Sequence, residues 1–142
     1  FFPNVIDCYI ANVRFKGNIS NPLIIGGAYT PSQFVFVLTH ELAHLLADDN
    51  KQDYNWHEVA KKLYPKEEKF VAYHTMTNAI QEALYTDVMK DTDLVIQFIE
   101  MSDELYLGDT HKPAWDIVEK EGYKAVLKKF QDNQFKTAKK FA

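Results

Sequence analysis

Cysteine is almost absent from this sequence. The single residue Cys8 has no partner for a disulfide bond within the chain, and a cysteine-rich zinc site is excluded. Glycine and proline are also scarce, at five each in 142 residues, which excludes collagen-like and low-complexity proteins. No apolar run approaches the roughly 20 residues of a membrane-spanning helix, and residues 1–10 lack the basic start of a signal peptide. We therefore expect no membrane association and a cytoplasmic location.

Basic residues are also fewer than acidic residues. The chain has 16 Lys and Arg against 20 Asp and Glu, a net charge of −4, so we expect no nucleic-acid partner. In contrast, hydrophobic residues make up 46% of the chain and aromatic residues 14%, which is enough for a packed core. A chain of this length fits one domain, and residues 1–142 are predicted to form it.

The hydrophobic pattern predicts a small sheet followed by helices. Residues 5–15 and 23–29 are rich in β-branched and aromatic side chains, which is typical of strands, and the turn-forming residues between them allow a hairpin. Helical patterns follow over residues 54–63, 66–90, 92–105 and 113–130. We therefore predict an α+β fold that is mostly helical, with a small N-terminal β-sheet.

A well-defined helix start precedes the most apolar helix. Thr30 can act as the N-cap, Pro31 suits the first helical position, and Gln33 can reach back to the cap. The sequence FVFVLTHELAHLLA then runs to about Ala47. Because this helix is apolar on nearly every side, we expect it to be buried.

Residues 40–44 of this helix read His-Glu-Leu-Ala-His, an HExxH motif. Side chains four residues apart lie on the same helix face, so the imidazoles of His40 and His44 can converge on one metal ion. Glu41 lies about 100° further around the helix. From there its carboxylate can take a proton from a water molecule and pass it to a leaving amine. The motif therefore predicts a zinc site with Glu41 as the general base.

Two interpretations of this motif remain open. A shuffled chain of the same composition contains HExxH roughly once in a hundred cases, and the three polar residues would then face solvent on a partly exposed helix. The apolar flanks favour the metal site. Three ionisable groups buried without partners would cost free energy, which a zinc ion and hydrogen-bond acceptors would offset.

The HExxH helix, preceded by two strands and followed by further helices, resembles the zincin metallopeptidases. By this resemblance His40 and His44 would bind Zn²⁺, Glu41 would be the general base, and the edge of one strand would bind an extended substrate. The later stretch HKPAWDIVEKEGY also looks like small bacterial zincin-like proteins. The metzincin subgroup is excluded, because Ala47 and Asn50 replace its glycine and its third histidine.

A catalytic zinc usually has a third protein ligand, and the helix predicted over residues 66–90 offers His74 and Glu82. In the gluzincins this ligand is a Glu, but the sequence around Glu82 follows their pattern only in part. At about 100° per residue, His74 lies on the flank of the apolar face and Glu82 lies opposite it. His74 is therefore the favoured ligand and Glu82 the alternative. The remaining options are His57, the pair Asp48 and Asp49, or no third ligand.

Four further residues are weaker candidates. By helical phase Asp87 falls within the apolar face, where it could orient a zinc-bound imidazole or act as an ordinary N-cap or salt-bridge acid. Tyr85, Tyr106 and His111 could donate a hydrogen bond to a tetrahedral oxyanion, although no sequence feature favours one of them.

Together these features predict a zinc-dependent peptidase that hydrolyses a peptide or protein substrate. The alternative is a regulatory or binding protein that keeps the same scaffold, such as an ImmA/IrrE-like regulator or a metal-binding interaction domain. A structural metal site, in which protein ligands fill every coordination position of the metal, is a third option. The intact Glu41 and the lack of an obvious fourth ligand argue against it.

Overall fold

The computed structural model describes residues 6–11, 19–20, 22–49, 56–105 and 111–138. It is 75% helical with a small two-stranded sheet near the N-terminus, which confirms the predicted α+β, mostly helical class. Within the described residues, no helix combines the length and the apolar character needed to cross a membrane. The chain divides into two compact units, Phe1–Asn50 and Lys51–Ala142, and the single domain stays a prediction.

The sheet of the first unit is parallel. Strand β1 (Cys8–Ala11) pairs with strand β2 (Leu23–Gly26) in this orientation, so the expected hairpin, whose strands would be antiparallel, is wrong. The chain instead turns back between Ile19 and Ile24, whose backbones exchange hydrogen bonds of 3.1 and 2.8 Å in an antiparallel bridge. Of the first predicted strand, residues 6 and 7 do not belong to β1, and residues 5 and 12–15 lie outside the described residues.

Helix α1 (Pro31–Asp49) begins where the sequence predicts. The backbone N–H of Gln33 donates to the Thr30 hydroxyl at 3.3 Å, and the backbone N–H of Thr30 donates to Gln33 Oε1 at 3.0 Å, which confirms the capping box. The helix packs against β2. Phe36 and Ile25 are fully buried, so the apolar side chains of α1 and β2 form the core of this unit.

The second unit is a group of helices packed around one central helix. Its elements are α2 (Trp56–Leu63), α3 (Lys69–Ala83), a π-helical segment (Leu84–Met89), α4 (Asp93–Leu105), α5 (His111–Glu121) and α6 (Tyr123–Ala138). The central helix α3 packs against α2, α5 and α6. Their buried apolar side chains form the core, including Val59, Val71, Met76, Ala79, Trp115, Val118, Val126 and Phe130.

The long helix predicted over residues 66–90 is not a continuous α-helix. It begins at Lys69 and changes at Leu84 to π-helical geometry, which ends before Lys90. Lys90 has a left-handed φ of 59°, which is uncommon for a residue with a side chain. A π-helical turn contains more residues than an α-helical turn. Side chains after Ala83 therefore point in directions that α-helical phase does not predict.

Candidate metal centre

His40 and His44 lie one turn apart on α1, and their side chains meet. The two Nε2 atoms are 3.0 Å apart. The ring centroids are 4.7 Å apart and the ring planes are nearly perpendicular, at 83°. The structure thus brings together the two imidazoles that the spacing of four residues predicts to converge.

This separation fits tetrahedral metal coordination. Two nitrogens bound to one zinc ion at roughly 2.0–2.1 Å, with a tetrahedral angle between them, are about 3.3 Å apart. The observed 3.0 Å is close to that value. In a metal-free protein one Nε2–H can donate to the other Nε2, whereas metal binding requires both Nε2 atoms to be unprotonated. The pair can therefore bind a metal without a change of side-chain position larger than a few tenths of an ångström.

The motif is shielded from water. His40 is 2% exposed and Glu41 is 6% exposed, while His44 is half-buried. The ring of Phe36 lies one turn before His40, with 6.1 Å between the ring centroids. The interpretation in which the motif faces solvent is therefore wrong.

Burial favours the neutral, protonated form of the Glu41 carboxyl group. Burial raises its pKa to about 7, and a hydrogen bond from the Ser20 side chain acts in the opposite direction because it stabilises the carboxylate. Ser20 lies in the turn closed by the bridge between Ile19 and Ile24. The sequence alone does not reveal this contact, since no motif connects a turn residue with a helix so far along the chain. A pKa near 7 suits a group that must accept and release a proton.

His74 lies on α3 in the second unit and is half-buried. Its Nδ1 is 2.8 Å from the backbone carbonyl oxygen of Phe70. A carbonyl oxygen only accepts, so Nδ1 carries the proton and Nε2 is the unprotonated nitrogen of the neutral ring. Burial lowers the pKa of His74, and the hydrogen bond to Phe70 acts in the opposite direction. A neutral imidazole with a defined tautomer is the form that binds zinc.

The alternative ligand Glu82 lies on the same helix and is half-buried. Burial raises its pKa, and the nearby negative charge of Glu119 raises it further. A carboxyl group that is driven towards its neutral form is a weaker metal ligand than a neutral imidazole, because ligands bind in their deprotonated form. This electrostatic environment supports the preference for His74.

The other options for the third ligand are His57 and the pair Asp48 and Asp49. The ring of His57 on α2 stacks on that of Tyr73, with 4.2 Å between centroids and 28° between planes. The side chains of Asp48 and Asp49, in the last turn of α1, lie outside the described part of the structure. The stacking of His57 is a packing contact within the second unit.

Asp87 is exposed, contrary to the position within the apolar face that helical phase predicts. Its Oδ1 accepts a hydrogen bond from the Tyr123 hydroxyl at 3.0 Å and lies 3.5 Å from Nζ of Lys124. The cause is the π-helical segment, which changes the direction of the side chains after Ala83. These contacts with α6 match the salt-bridge alternative rather than a role in orienting a zinc ligand.

The candidates for oxyanion stabilisation have different surroundings. Tyr85 is fully buried, and its ring lies 4.7 Å from that of Phe98, so it belongs to the core. His111 is buried at the start of α5, and its ring lies 4.2 Å from that of His74. Sequence reasoning misses the contact between His111 and His74 because the two residues belong to separate helices. Tyr106 lies outside the described residues.

Comparisons with protein-family models, with curated proteins and with solved structures give no match. The resemblance to zincins therefore rests on the HExxH motif and the order of elements.

Proposed function

We propose that this protein is a zinc-dependent peptidase. The observation that carries the proposal is the 3.0 Å approach of His40 Nε2 and His44 Nε2 on one face of α1. Glu41, the residue next to His40, adds a buried carboxyl group whose pKa is raised to about 7. Two converging imidazoles and an adjacent carboxyl group are the side chains that zinc-dependent hydrolysis requires.

His74, which the sequence favours as the third ligand, is proposed to bind the metal together with His40 and His44. Three imidazole ligands leave one position of a tetrahedral zinc ion for water or substrate. The hydrogen bond from His74 Nδ1 to Phe70 supports the assignment, because it leaves Nε2 as the nitrogen able to bind metal. Glu82 is retained as the alternative third ligand.

Glu41 moves the proton in the proposed reaction. Zinc, when bound, lowers the pKa of a water molecule and polarises the scissile carbonyl. Glu41 accepts the proton that the attacking water loses and then gives it to the amine that leaves. The peptide bond is thereby split by one water into an acid and an amine. The hydrogen bond from Ser20 keeps the ionised form of Glu41 accessible.

An extended peptide is the substrate class that the first unit suits best. Strand β1 pairs with β2, and within the described residues it pairs with no other strand. Its side chains Tyr9 and Ile10 are 58% and 64% exposed. An exposed edge strand can bind an extended peptide through main-chain hydrogen bonds, with alternate side chains giving specificity.

Metal analysis combined with cleavage of a peptide library tests the proposal. The purified protein is expected to bind about one zinc ion per chain and to cleave peptides in a reaction that a chelator abolishes. Glu100→Gln, which changes an exposed carboxylate on α4, is the matched control and should behave as the wild type. Failure to bind zinc would contradict the proposal. Zinc binding without cleavage of any peptide pool would favour the regulatory or binding scaffold.

A further inference from the structure

A second histidine packs against His74, and the HExxH motif does not account for it. His111 is the first residue of α5 and is 7% exposed. Its ring centroid lies 4.2 Å from that of His74, and the two ring planes are inclined by 52°. The rings are close enough for each to limit the rotation of the other.

The position of His111 is set by the packing of α5 on α3. Asn78 lies one turn after His74 on α3 and is fully buried, and its Nδ2 lies 3.5 Å from the backbone carbonyl oxygen of His111. At this distance the hydrogen bond is long. The contact between the two helices therefore contributes more to the position of His111 than this hydrogen bond does.

His74 is thus held by two contacts of different kinds. The carbonyl oxygen of Phe70 accepts the hydrogen bond from Nδ1 at 2.8 Å, which selects the tautomer. The ring of His111 restricts the side-chain rotamer. A ligand held in one tautomer and one rotamer loses less conformational entropy when it binds a metal.

We propose that His111 is a positioning residue for His74. Its ring keeps the His74 side chain in the rotamer in which Nδ1 meets the Phe70 carbonyl, so that Nε2 is available to a metal. The consequence for zinc rests on the proposed function, whereas the effect on the His74 side chain does not. Loss of a group that orients a metal ligand commonly lowers metal affinity by about 10–100-fold.

Three variants test this inference. His111→Ala removes the ring, and His111→Phe keeps a flat ring of similar size. Phe98→Leu is the matched control, since it also removes a packed ring in the same unit, but one that lies against Tyr85. The measurements are the ¹⁵N and ¹H NMR signals of His74 in chelator-treated protein, which report its tautomer, and the zinc affinity in competition with a chromophoric chelator.

The expected result is specific to the ring at position 111. His111→Ala should change the His74 signals from one tautomer to a mixture and weaken zinc binding by about 10–100-fold. His111→Phe should restore both properties, and Phe98→Leu should leave both unchanged. If the alanine variant does not fold, His111→Leu replaces it, because leucine fills the space without a flat ring, and the same changes are expected.

Unchanged His74 signals and zinc affinity in the folded alanine or leucine variant would overturn the inference. Failure of His111→Phe to restore the His74 signals would also overturn it, since ring packing would then not be the cause. If the wild-type protein binds no zinc, the proposed function fails. The NMR comparison still decides whether His111 positions His74.

Discussion

The hydroxyl group of Ser20, in the turn before β2, donates a hydrogen bond to the carboxyl group of Glu41 on α1. This bond stabilises the ionised form of Glu41, so its removal should raise the pKa of the carboxyl group further above its ordinary value. Ser20→Ala should therefore move the acidic limb of the pH profile of kcat/KM to higher pH while zinc binding is kept. A limb that stays in place or moves to lower pH would contradict the proposed role of Ser20.

Replacement of Glu41 should separate metal binding from catalysis. Glu41→Gln removes the proton acceptor and leaves His40 and His44 in place, so zinc content should stay near the wild-type level. The loss of one general base commonly lowers the rate about 10²–10⁴-fold. The measurement is kcat/KM on a peptide that the wild type cleaves, together with zinc content. Equal cleavage by the two proteins would exclude Glu41 as the base.

The raised pKa of Glu41 also predicts a pH dependence of stability in the metal-free protein. The folded state releases the Glu41 proton with a pKa of about 7, whereas the unfolded state releases it near the ordinary value of 4.5. The folded state therefore binds more protons between these values, and the free energy of unfolding should fall as pH rises through this window. Below it the contribution of Glu41 should be fully retained.

Urea denaturation of chelator-treated wild type and Glu41→Gln at a series of pH values measures this effect. The wild type should lose about 3 kcal/mol relative to the variant between the two pH limits, and the difference should be constant above them. A difference that does not vary with pH would show that Glu41 is not held in its neutral form.

The third ligand is tested by a pair of variants on α3. His74→Ala and His40→Ala should both weaken zinc binding strongly, because each removes a neutral imidazole ligand. Glu82→Ala should change zinc affinity little, since burial and the negative charge of Glu119 raise the pKa of Glu82, and a metal binds the deprotonated form of a ligand. Zinc titration against a competing chelator measures both. The reverse result would assign the third position to Glu82 and give a site with two histidines and one glutamate.

Lys90 provides a test of the fold that does not involve the metal. Its φ of 59° is in the left-handed region, which glycine adopts without steric cost. Lys90→Gly should therefore raise the free energy of unfolding by about 1 kcal/mol, measured by urea denaturation. Lys120→Gly, in the regular helix α5, is the matched control and should lower it by about 1 kcal/mol. A destabilising effect at position 90 would contradict the argument from backbone conformation.

The features that the sequence predicts well depend on neighbouring residues. The start of α1 follows from the capping box of Thr30 and Gln33, whose hydrogen bonds span three residues. The approach of His40 and His44 follows from helical geometry alone. In both cases the interacting groups lie within one turn, so no knowledge of the rest of the fold is needed.

The features that the sequence does not predict depend on distant contacts or on irregular backbone. The parallel pairing of β1 and β2 is one of these features, because the residue types of two short strands favour neither parallel nor antiparallel pairing. The contacts of Ser20 with Glu41 and of His111 with His74 join separate elements. The position of Asp87 fails for another reason, because a regular 3.6-residue period does not hold in the π-helical segment.

The π-helical segment Leu84–Met89 is also the place where we expect this protein to tolerate the deletion of one residue. A π-helical turn corresponds to an α-helix that has received one extra residue. Deletion of Thr86 would return the segment to α-helical geometry, while Tyr85 before it would keep its place in the core. The same deletion in the middle of α3 would turn every later side chain of that helix by about 100°. The deletion of one residue should therefore disturb the fold least in the π-helical segment, which contains one residue more than the corresponding α-helical turn.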